Sequence, residues 1–223
     1  MPEAVQTLLT EQPDVAAVKE EVATQDDVIV EGPAPTKEFN EKKLKVIVKE
    51  GGKRGVEIEG AADMGGLQFF CTMIEKPEGD LDLLIESMKA MNAKSNPSEE
   101  ERKGGAGKIG KIIFSCTEKA FSAVAYVPKN KADECSAFEW LSEVVNNVAG
   151  AKGVKLVKTF DNIESKYWAA VCVPFSHEEE LYPIKMRDPA ISHAYTYLKK
   201  KGLFPEDDSD DEDDYVFGDD DFP

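Results

Sequence analysis

The sequence predicts an α+β fold: an antiparallel sheet built from strand-strand-helix units, with helices on one face and disordered acidic segments at both ends. Three observations carry this. Runs of β-branched and aromatic residues come in pairs. Each pair is followed, after a proline, by apolar residues at helical spacing. Charge is partitioned between the ends and the middle of the chain. Units of this kind usually make an antiparallel sheet covered on one side.

The net charge of the 223-residue chain is −17. Residues 1–40 hold 9 acids against 2 bases, and residues 206–223 hold 11 acids and no base. Residues 41–205 hold 24 acids and 25 bases, so the expected folded core is electrically balanced and has room for a basic face. The domain reading follows: a disordered acidic segment over 1–40, an α+β core over 41–205, and a disordered acidic tail over 206–223. The core is one unit or two subdomains, 41–150 and 151–205.

The first unit begins with LKVIVKE (44–50), turns at Gly51-Gly52, and continues through GVEIEG and GLQFFCTMI. Leu81, Leu84, Ile85, Met88 and Met91 then fall on one helical face, with Asp80 as the cap. The second unit is KIIFSC (111–116) and FSAVAYVPKN (121–130), followed by a helix capped by Ser136. The third is VKLVKTF (154–160) and YWAAVCVPF (167–175). The stretch HEEELYPIKMRDP then reads as a loop, because Pro183 and Pro189 interrupt it. The last helix starts at Asp188 or Ser192 and stops at Gly202. Pro128 follows Ala-Val-Ala-Tyr-Val and Pro174 follows Ala-Val-Cys-Val, and a proline ends such a strand at little cost.

The stretch GAGKIGKI (105–112) lies close to the phosphate-binding pattern G-x-x-x-x-G-K-[ST]. That loop needs a strand before it, a helix after it, and a hydroxyl to bind magnesium. Here Ile112 stands in the hydroxyl position, a strand pattern follows, and SNPSEEERKG precedes. Nucleotide hydrolysis is therefore not expected. The remaining readings are a solvated connector or a phosphate-contacting loop. Arg102, Lys103, Lys108 and Lys111 supply charge for the second, and Lys152, Lys155 and Lys158 form a further basic cluster.

Catalysis has little support. His177 and His193 stand apart, and no nucleophile–base motif or metal-spaced set is visible. Cys71, Cys116, Cys135 and Cys172 lack paired spacing and read as reduced thiols. No cofactor is expected. The first residues show no leader pattern, and no apolar run reaches membrane-spanning length. A soluble cytoplasmic protein is expected, with the nucleus as the alternative.

Residues 66–158 resemble the C-terminal domain of alanyl-tRNA synthetases. The likeness lies in KIIFSCTEKAFSAVAYVP with its Val127-Pro128, SAFEWLSEVV with its Glu139-Trp140 pair, and the segment from Gly150 to Lys155. The resemblance implies a tRNA-contacting accessory domain that binds through its loop lysines. The aminoacylation and zinc-bearing editing domains of that family have no counterpart here.

The tail PEDDSDDEDDYVFGDDDFP sets Tyr215, Phe217 and Phe222 among aspartates. Acids steer toward a basic surface and aromatics anchor, so these three residues are candidate partner contacts. The tail is similar to the acidic, Phe-containing tails of ribosomal stalk proteins. Ser209 and Ser98 each precede three acids, a pattern that acid-directed kinases use. Two functions follow. One is an RNA- or ribosome-associated binding module of translation, with the tail recruiting a basic protein. The other is an acidic-tailed interaction or chaperone-like factor without RNA contact.

Overall fold

A computed structural model describes residues 28–95, 98 and 102–204. Four strands form one sheet in the order β1 (Phe69–Met73), β2 (Gly110–Cys116), β3 (Ala120–Tyr126), β4 (Trp168–Pro174). Four helices accompany it: α1 (Glu41–Gly65), α2 (Leu81–Asn92), α3 (Ala137–Val154) and α4 (Pro183–Lys200). The α+β class is as the sequence predicts, but the sheet is mixed. β1 runs parallel to β2, whereas β2–β3 and β3–β4 are antiparallel. The parallel pair follows from the connection through α2, since two parallel neighbours need a crossover and not a hairpin.

The helices cover both faces, not one. Alternation along the strands explains why. Ile112, Phe114, Ala123, Ala125 and Val171 meet α3 and α4, while Ile113, Val124, Tyr126, Trp168 and Ala170 meet α2 and the inner side of α1. Both sets are fully buried. Each such Val, Ile or Phe contributes roughly 1.5–3 kcal/mol of burial free energy.

The largest correction is α1. The stretch read as two strands turning at Gly51-Gly52 is one helix of 25 residues. Asn40 starts it by accepting from the Lys42 and Lys43 amides. Ile47, Gly51, Gly55 and Ile58 recur at helical spacing and are buried. The glycines permit contact with backbone. A Cβ on Gly51 would stand 2.6 Å from the Ser87 carbonyl oxygen of α2, and one on Gly55 2.8 Å from that of Met91.

Asp80 caps α2 as expected, accepting from Asp82 and Leu83. Ser136 caps α3 through the Glu139 amide. The expected strand 154–160 is instead the end of α3 and two isolated bridges, Lys158 with Ala170 and Phe160 with Ile163. The last helix begins at Pro183, not at Asp188 or Ser192. Proline suits a first helical position because its missing amide has no partner there. Pro189 is carried inside the helix. Its lost hydrogen bond falls on the carbonyl of Lys185, an exposed residue.

Residues 28–40, expected to be disordered, make defined contacts with the core. Trp168 Nε1 donates to the Val30 carbonyl at 3.1 Å, and Lys37 pairs with Asp80 at 2.7 Å. Residues 1–27 lie outside the described residues. All four cysteines are free, with Cys71 and Cys135 buried. No helix among the described residues is long and apolar enough to cross a membrane.

Candidate nucleic-acid interface

Residues 102–109 join α2 to β2. Gly104 and Gly105 take the left-handed conformation, with φ of 77° and 95°. Their amides are committed to packing: Gly104 donates to the Gly52 carbonyl and Gly105 to the Ala93 carbonyl, both at 2.8 Å. A phosphate cradle needs such amides free and convergent.

The following 3₁₀ turn, Ala106–Lys108, has the opposite polarity. Four consecutive carbonyls accept from core side chains. Those of Ala106 and Ile109 receive Lys111 Nζ at 2.5 and 2.8 Å, and that of Gly107 receives Tyr126 Oη at 2.7 Å. The Lys108 carbonyl receives Lys131 Nζ at 2.9 Å. The resemblance to a phosphate loop is thus inverted: this loop turns oxygens toward its own amines.

Lys111 is therefore corrected as an RNA contact, because its side chain is fully buried between the turn and Tyr126. Burial, and to a smaller extent the nearby Lys131, push its amine well below the usual lysine range. Burial lowers Lys131 to about 8.

A cavity of about 400 Å³ opens beside this turn, lined among others by Glu59, Asp63, Asn92, Lys108 and Lys131. Its charges are mixed. Asn92 is 6% exposed, and its amide atoms have no hydrogen-bond partner. Among the described residues, no cluster of His, Cys, Asp and Glu is spaced to hold a metal ion.

The outer side of α1 carries the charge. Lys42, Lys45, Lys49 and Lys53 are exposed and follow one another at intervals of three or four residues. At about 100° per residue they share an arc of roughly 80°, opposite buried Ile47, Gly51 and Ile58, with Gly52 at its edge. Lys103 adjoins this stripe, since a Cβ on Gly52 would stand 3.1 Å from Lys103 Cβ. Lys42, Lys45, Lys53 and Lys103 engage no carboxylate among the described residues. The spacing of these lysines by three and four residues was visible in the sequence, but the strand reading of 44–50 put only Lys45 and Lys49 on one exposed face and left Lys42 and Lys53 outside it.

The other expected contacts divide. Arg102 is exposed but paired with Glu59 at 2.8 Å. Lys108 is exposed on the cavity rim. Lys152, Lys155 and Lys158 do not join this group. They lie at the end of α3 and beside β4, with Lys152 3.8 Å from Glu179 and Lys158 bridged through its backbone to Ala170. Ser98 is exposed. Ser209, Tyr215, Phe217 and Phe222 lie outside the described residues. No family model matches the chain, and no curated protein matches it.

Proposed function

We propose that the chain is a non-catalytic RNA- or ribosome-associated module of the translation apparatus, contacting the phosphate backbone through α1 and the adjoining loop. The observation that carries this reading is the exposed stripe Lys42, Lys45, Lys49 and Lys53, extended by Lys103. Evenly spaced lysines on a rigid helix match a line of phosphates and supply affinity without base specificity. The resemblance of residues 66–158 to a tRNA-contacting domain supports the same class of ligand.

Ultraviolet crosslinking of the full chain to RNA from cell extract, followed by peptide mapping, tests this. Crosslinks are expected in peptides spanning 42–54 and 102–108. Crosslinks confined to other peptides, or none above a carrier-protein control, reject the proposal.

A further inference from the structure

The first turn of α4 borders an apolar groove. Its cavity of about 750 Å³ is lined by Glu118, Lys119, Phe175, Tyr182, Ile184 and Lys185, together with Pro183. Phe175 is 49% and Ile184 53% exposed, and the Phe175 ring stands 5.9 Å from that of Tyr182. Such large apolar side chains side by side mark a contact surface. Its edges carry two lysines, Lys119 and Lys185, against one acid, Glu118. Tyr182 gives α4 no side-chain cap, and no acid lies in the first turn. The positive end of the helix is thus open to a carboxylate beside two lysines.

The path of the chain indicates what fills the groove. After α4 the backbone reverses at Gly202, whose φ is 68°. The Leu203 amide donates to the Leu198 carbonyl, and the Phe204 ring rests 5.0 Å from that of Tyr195. The last described residue has therefore turned back along α4 toward its start. Ile184 and Tyr195 are eleven residues apart, which is three turns. They share a helix face at about 16 Å separation. The eleven residues from Phe204 to Tyr215 reach up to about 36 Å when extended.

We infer that residues 206–223 of this same chain dock in the α4 groove, with Tyr215, Val216 and Phe217 seated between Phe175 and Ile184. The preceding run EDDSDDEDD brings carboxylates to Lys119, Lys185 and the start of α4. The aromatics supply the anchors. Tethering adds an effective concentration in the millimolar range. The lysine stripe of α1 also offers positive charge, but α1 packs on the opposite side of the sheet from α4. The groove combines charge and apolar area on the face where the chain emerges.

The test uses the full chain with Phe217 replaced by photoreactive p-benzoylphenylalanine, irradiated at low protein concentration and mapped by mass spectrometry. Crosslinks within one chain to Phe175, Tyr182 or Ile184 are expected, with their loss in an added Ile184→Asp variant. Ile184 is exposed enough for that variant to fold, and an unchanged thermal melt checks this. Crosslinks to the α1 stripe, crosslinks between two chains, or no crosslink would each overturn the inference.

Discussion

Lys111 Nζ stands 4.7 Å from the ring centroid of Tyr126, the residue opposite it in the β2–β3 register. The pair belongs to a row, Phe70–Lys111–Tyr126–Trp168, that crosses all four strands. Among the described residues this amine has no acid partner; the carbonyls of Ala106 and Ile109 accept from it.

Stability should therefore depend on pH through Lys111. An unfolded lysine holds its proton up to about pH 10.4. Burial makes the folded one release it well below that. Between the two values the unfolded chain binds more protons, so this contribution to stability rises with pH, by up to about 1.4 kcal/mol per unit. Lys131 acts in the same sense above about pH 8. Cys71, Cys135 and Tyr126, whose folded forms are pushed up by burial, act in the opposite sense. Comparing wild type with Lys111→Met in denaturant at pH 7 and 9 isolates the lysine. Wild type should gain on the variant at the higher pH, and a pH-independent difference would argue against a buried, depressed amine.

The glycines of α1 give a paired prediction. A Cβ on Gly55 would meet Met91 and Gly104 backbone atoms within 3 Å, whereas one on Gly60 would meet nothing within 4 Å. Gly55→Ala should destabilise by about 1–3 kcal/mol through forced separation of α1 from the loop. Gly60→Ala should stabilise by about 0.5–1 kcal/mol through helix entropy. Equilibrium unfolding of the two variants reads both signs, and a strand-turn-strand at 44–60 would not produce this order.

The same glycines show what could be read from sequence. Strands β2, β3 and β4 and the caps Asp80 and Ser136 were legible because each depends on local chemistry. α1 was not. Val46, Ile47, Val48 and paired glycines carry a local strand-and-turn signal, and only the tertiary contact with α2 explains why glycine is tolerated inside a helix. The parallel β1–β2 pairing depends on the same long-range packing. Lys111 looked like a surface charge because its partners, the carbonyls of residues 106 and 109, leave no mark in side-chain identity. Pro183 read as a breaker although at a helix start it is favourable.

Thiol reactivity should split by burial. Burial raises Cys135 to about 12 and pushes Cys71 up as well. Cys172 and Cys116 are partly exposed. Timed alkylation of the native chain with iodoacetamide should label Cys172 before Cys71 and Cys135, which react only on unfolding. Early labelling of Cys135 would contradict the packing of α3 and α4 over the sheet.

The most direct test of the RNA surface is the salt dependence of binding to a single-stranded RNA, measured by fluorescence anisotropy. Each phosphate contact removed should lower the slope of log affinity against log salt by about 0.7. Changing Lys42, Lys45, Lys53 and Lys103 to Gln should lower it by roughly 3, if each makes one contact. Changing Lys152, Lys155 and Lys158 to Gln should leave it as in wild type. An unchanged slope in the first variant, or a loss confined to the second, would contradict the assignment of α1 and its loop as the RNA-binding face.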